Sequence, residues 1–157
     1  MPLSAPIAPP KDQRGLASVE FAVSMLVVVT VMLLVAEVGR LLYSYAILTQ
    51  AVRDGARYAS TQSLSPAGAF EFAQGLDGEV DNLVNYGQLT QGGQTLLPGT
   101  ITVQLTQNTG IPSSGPGRHY VTVDGTYTYT PLFTTTLFGD VDFGMTMQAQ
   151  NTMRAVN

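Results

Sequence analysis

From residue 16 to residue 36 the chain reads LASVEFAVSMLVVVTVMLLVA, 21 residues whose only ionisable side chain is Glu20. As a helix rising about 1.5 Å per residue, this run reaches roughly 30 Å, the thickness of a bilayer's hydrocarbon core. A core helix of a water-soluble protein keeps a polar stripe, yet between Val27 and Val35 only Thr30 interrupts the apolar residues. The rest of the 157-residue chain is rich in Thr, Gln, Gly and Asn and offers little to bury such a helix. The run is therefore read as a transmembrane helix.

Residues 1–15 are Pro-rich, lack periodicity and carry Lys11 and Arg14 against Asp12. Such a segment is a short leader, and basic residues ahead of a span favour a cytoplasmic N-terminus. A secretory signal would have a shorter apolar run closed by a small-residue cleavage site, whereas here the run passes directly into helix-like sequence. The expected organisation is a cytoplasmic leader at 1–15, a membrane helix at 16–36, its extracytoplasmic continuation at 37–60 and a small periplasmic α+β domain at 61–157.

The continuation contains no proline, and Leu41, Tyr45, Leu48, Val52, Ala56 and Ala59 recur at steps of three and four. One long helix over about 16–60 follows, apolar all round in its first half and amphipathic in its second. Ser65-Pro66 is a helix-start signal, and Phe70, Ala73, Leu76, Val80 and Leu83 or Val84 continue at helical spacing toward Gly87. Beyond a Gly-rich loop the pattern alternates. The sets are Ile101, Val103 and Leu105; then Val121, Val123, Tyr127 and Tyr129; then Phe143, Met145, Met147 and Ala149. Period-two patterning predicts a small antiparallel sheet of about three to four strands, with the amphipathic half of the long helix covering its apolar face. TPLFTTTLFGD reads as a connection before the last strand.

The chain has no cysteine, which excludes disulfides and thiolate chemistry, and its net charge of −4 argues against a nucleic-acid partner. His119, the only histidine, has no nucleophile or orienting acid beside it in sequence and reads as a turn or strand-start residue. Asp77, Glu79 and Asp81, and separately Asp140 and Asp142, do not fit the EF-hand spacing and read as solvated carboxylates. Arg53, Asp54 and Arg57 are expected to pair along the helix at spacings of three and four. The glycine pairs lack the strand before and lysine after that a phosphate-cradling loop requires. No cofactor, metal or catalytic constellation is expected, and an enzyme is disfavoured.

The leader ending in Gly15, the sequence Leu16-Ala17-Ser18-Val19-Glu20-Phe21 and the apolar run behind it resemble the class III signal of type IV prepilins. The resemblance implies cleavage by a membrane prepilin peptidase between Gly15 and Leu16, with Glu20 as fifth residue of the mature chain. It also implies that this carboxylate meets the new amine of a neighbouring subunit when helices bundle. A carboxylate near the end of a span reaches water or headgroups, whereas at the bilayer centre it costs about 2.5–3.5 kcal/mol.

Within that group the pattern is most similar to the TadE-like minor pseudopilins of the tight-adherence (Tad, or Flp) pilus. The residues that carry this are the Arg-Gly-x4-Glu-Phe start, the Glu-x-Gly-Arg exit at Glu37 to Arg40, Val-Arg-Asp-Gly-Ala-Arg-Tyr-Ala at Val52 to Ala59, and Met153 and Arg154 near the end. The resemblance implies an inner-membrane protein that takes part in initiating, capping or stabilising a pilus for adhesion. Gly15 and Leu16 serve cleavage in that reading, and Glu20 and Phe21 serve assembly. Its partners are the prepilin peptidase, other pilin-like subunits, pilus-assembly membrane proteins and the lipid bilayer, with no nucleic acid. The competing expectation is an uncleaved single-span anchor carrying a periplasmic binding or signalling module.

Overall fold

The computed structural model describes residues 13–63, 72–109, 119–132, 135–136, 139–140 and 144–155. One helix, α1 (Gln13–Gln62), runs unbroken through both the apolar and the amphipathic segments. Its N-terminal half lies clear of the other described residues and includes a stretch of mean hydropathy 2.6 with none of it buried among them. Thr30, the one polar interruption, turns its hydroxyl inward to the carbonyl of Leu26 at 2.9 Å, so the helix surface there stays apolar. A single long apolar helix of this kind fits a single-pass membrane anchor.

The second half of α1 covers a three-stranded antiparallel sheet formed by β1 (Thr102–Thr109), β2 (His119–Tyr129) and β5 (Met145–Arg154), with β2 in the centre. Register pairs Leu105 with Val123 and Tyr127 with Met147, so the apolar sets of all three strands share one face. α2 (Leu76–Tyr86) packs beside α1 and completes the cover. Leu48, Val52, Ala56, Leu76, Val80, Val84, Ile101, Val121, Val123, Tyr127 and Tyr129 form the core between helices and sheet. The architecture is α+β, as the patterning predicts.

Two contacts explain why glycine stands at the crossings. A Cβ on Gly55 would lie 2.8 Å from Val84 Cγ2, so glycine lets α2 lie close against α1. A Cβ on Gly125, in mid β2, would collide with Val52 and press on Leu48 and Ile101, so glycine lets α1 approach the sheet.

Four expectations need correction. The second helix starts at Leu76, because Gly75 adopts φ 92°, a left-handed conformation that ends the preceding Gln74-Gly75 turn rather than continuing a helix. Ala73 is outside it, and Phe70 and the Ser65-Pro66 signal lie outside the described residues. The buried stripe of α1 passes through Ser44 while Tyr45 is exposed. Met145 is exposed because it sits at the end of the sheet, beyond the helix cover. The connection before β5 contains a short ladder, β3 (Thr135–Thr136) paired with β4 (Gly139–Asp140). Phe143 lies outside the described residues.

Candidate functional site: the N-terminal helix and its exit

Gly15, Leu16, Glu20 and Phe21 occupy the first turns of α1, and all four are exposed. Leu16 and Glu20 are one turn apart on the same face, as spacing i, i+4 requires. Among the described residues, nothing outside its own turn of helix lies within 4 Å of where a Cβ on Gly15 would stand.

At the far end of the apolar run, the folded domain grips the helix through a buried carboxylate. Glu37 is only 6% exposed. Its Oε1 accepts a hydrogen bond from the hydroxyl of Tyr129 at 2.6 Å and another from the backbone N–H of Leu132 at 3.1 Å. Arg40, one turn on, places Nη1 3.9 Å from the same oxygen, with its guanidinium 5.5 Å from the centroid of the Tyr129 ring. Burial, followed by the bond to Glu37, pushes the Tyr129 hydroxyl up to about pKa 12, so it stays a donor at any physiological pH. The Glu-x-Gly-Arg sequence, which carried part of the family resemblance, thus also forms a structural junction. Helical spacing held the signal, since Glu37 lies four residues before Leu41 on the buried stripe.

The Val52 to Ala59 segment resolves into packing roles. Val52 seats over Gly125, Gly55 admits Val84, and Ala56 and Ala59 are fully buried. Tyr58 donates to Glu79 Oε2 at 2.7 Å and joins α1 to α2, and that bond, with burial, raises its hydroxyl pKa. Arg53, Asp54 and Arg57 point outward and, among the described residues, form no ion pair, contrary to the expectation of pairing along the helix.

A third polar centre escaped the sequence reading. Asn85, buried on α2, accepts the N–H of Ile101 at 2.8 Å through Oδ1 and donates from Nδ2 to the carbonyl of the same residue at 3.0 Å. It fixes the entry of β1 in both directions, as a strand neighbour would.

His119 opens β2 and is half-buried, and its carbonyl accepts the N–H of Ala155 at 2.9 Å. Among the described residues no group of three or more His, Asp or Glu is arranged to hold a metal. Glu79 is engaged by Tyr58, Asp81 by Asn85, and Asp142 lies outside the described residues. An open groove of about 430 Å³ between α2 and β1 is lined by Asp77, Val103, Gln104, Leu105 and Thr106, a set with one carboxylate and no basic or nucleophilic companion.

Residues 15–57 match the family model of TadE-like proteins. The matched segment starts at Gly15, covers the whole apolar run and the Glu37–Arg40 exit, and ends within the helix that carries the core. No curated protein and no solved structure matches the chain at a significant level.

Proposed function

From a chain whose residues 15–57 form a TadE-like segment, we propose a minor pseudopilin of the Tad/Flp pilus system. Its leader is cut by a prepilin peptidase between Gly15 and Leu16, and the mature helix then packs with other pilin-like helices. The protein helps initiate, cap or stabilise the pilus, acting as a peptidase substrate and assembly subunit and catalysing no reaction itself. It sits in the inner membrane with its N-terminus cytoplasmic and the α+β domain periplasmic, an orientation favoured by Lys11 and Arg14 ahead of the span.

The observation that carries this reading is the family match beginning at Gly15, on a helix whose following apolar turns are all exposed. Cleavage would create a charged amine on Leu16 at the positive end of the helix dipole, where a cation is disfavoured. The Glu20 carboxylate, one turn away or on a neighbouring helix, offsets that charge. A large exposed apolar surface of this kind is covered either by lipid or by other helices, which suits a subunit that moves between membrane and filament.

N-terminal sequencing of the mature protein from cells with and without a prepilin peptidase tests the assignment. A chain starting at Leu16 only when the peptidase is present supports it, and one that starts at Met1 in both removes it. Glu20→Ala should be processed normally but fail to enter assemblies; normal pilus formation by that variant would refute the role given to Glu20.

A further inference from the structure

The outer face of α1 stays apolar well beyond the point where the folded domain takes hold. Val38, Leu42, Tyr43, Tyr45 and Ala46 are all exposed, and the first exposed charged side chains past Arg40 are Arg53, Asp54 and Arg57. From Phe21 to Ala46 is about 39 Å of helix, longer than the roughly 30 Å hydrocarbon core and close to the 40–45 Å that includes both headgroup layers. The domain, however, already contacts the helix at Glu37. The domain's edge at Tyr129 and Leu132 therefore lies within the length of α1 whose outer face is still apolar.

That edge is itself apolar. Leu132, whose N–H binds Glu37, is 65% exposed, and Met145, which pairs with Tyr129 across β2 and β5, is 54% exposed. Among the described residues outside α1, these are the two most exposed large apolar side chains. Tyr43 and Tyr45, about two turns past Glu37 on α1, have the amphipathic rings that concentrate at membrane–water interfaces.

We infer that Leu132 and Met145, with Leu42, Tyr43 and Tyr45 of α1, form a rim that seats the folded domain in the interfacial layer of the membrane its helix crosses. The tie to the spanning helix commits the rim to lipid, because Leu132 is bonded to Glu37 and Met145 pairs with Tyr129, which also bonds Glu37, inside the length of α1 whose outer face is still apolar. The internal bonding of Glu37 follows from the same placement: a carboxylate at that depth has little water to solvate it, so Tyr129 and Leu132 supply its donors.

The inference rests on the reading of α1 as a membrane anchor, and the experiment separates the two. The chain has no cysteine, so single cysteines can carry an environment-sensitive fluorophore at positions chosen one at a time in the full-length protein. Leu132→Cys, Met145→Cys and Tyr43→Cys probe the rim, Val29→Cys the middle of the span, and Arg154→Cys the exposed far end of β5, about 30 Å along the strand from Met145. All five side chains are exposed, so none of the changes opens the core. Each protein is placed at low density in vesicles of phosphatidylethanolamine and phosphatidylglycerol with spin-labelled lipid quenchers.

The expected result is blue-shifted emission at 132, 145 and 43, lost on adding a quencher carried just below the headgroup, with water-like emission at 154 and quenching by a deep label at 29. Water-like emission at 132 and 145 alongside deep quenching at 29 would overturn the rim and leave the anchor standing. Emission at 132 and 145 that is shielded from water but untouched by lipid quenchers would mean protein covers the rim, and would overturn its assignment to lipid. No quenching at 29 would overturn both readings.

Discussion

The Tyr129 hydroxyl and the Glu37 carboxylate meet at 2.6 Å across 92 positions of chain, joining the end of β2 to the turn of α1 that follows the apolar run. Removing only the hydroxyl, in Tyr129→Phe, keeps the ring under Arg40 and leaves Glu37 with the Leu132 N–H and the Arg40 guanidinium. A hydrogen bond to a charged group contributes about 1.5–3 kcal/mol, so the variant should unfold at correspondingly lower denaturant. Glu37→Gln, which retains an acceptor, should cost less than Glu37→Ala, and chemical denaturation of the three proteins in the same detergent gives the order.

The same pair sets a limit at alkaline pH. In an unfolded chain Tyr129 releases its proton near pH 10, whereas in the fold it holds it to about pH 12. Between those values the unfolded state gains by deprotonating, so the contribution is intact below pH 10 and is lost as pH rises toward 12. Phenolate absorbance should show a late-titrating tyrosine in the folded protein, and that late component should vanish in Tyr129→Phe. An unchanged titration in the variant would show that another tyrosine is responsible.

Asn85 offers a sharper test of polar specificity. Asn85→Asp keeps an oxygen for the Ile101 N–H but sets a carboxylate against the Ile101 carbonyl, where Asn85 now donates. Losing a buried donor and burying a charge together should cost more than the 1–3 kcal/mol of one unsatisfied group. Asn85→Ala should fall within that range. Hydrogen exchange should rise first at Ile101 and along β1, before β2 and β5.

Gly125 and Val52 should behave as a coupled pair. Gly125→Ala drives a methyl into Val52 and should destabilise the domain by about 1–3 kcal/mol, the usual range for overpacking. Val52→Ala leaves a cavity and is also destabilising. Combined, each makes room for the other, so the double variant should lie closer to the parent than the sum of the two. Additive losses would show that the backbone, not Val52, absorbs the extra methyl.

The long helix, the three main strands and their shared apolar face were legible because periodicity survives into structure when one face is buried. Val121, Val123, Tyr127 and Tyr129 are an example: alternation alone placed all four in the core, where they are found. The start of α2 was not, since Phe70 and Ala73 keep helical spacing while the backbone conformation of Gly75 interrupts it. Tyr45 misled because the buried stripe passes one residue away, through Ser44, a polar residue that periodicity of apolar side chains does not mark. Glu37 and Asn85 were out of reach for another reason. A polar residue among apolar ones reads as an edge or a face, and only tertiary structure supplies the partners that allow it inside. The cleavage and assembly roles proposed for Gly15, Leu16, Glu20 and Phe21 rest on the motif alone, since these exposed residues pack against nothing described in the fold.

An uninterrupted α1 makes the membrane helix and the domain's central support a single rod. From Glu37 to Gln62 that rod extends about 39 Å, so a change of tilt of about 20° in the bilayer sweeps its distal end through about 13 Å. The helix has no proline after the leader and no break at the membrane exit to absorb such a rotation. A neighbouring helix that alters the tilt in the membrane thereby acts on a lever arm whose far end carries the domain.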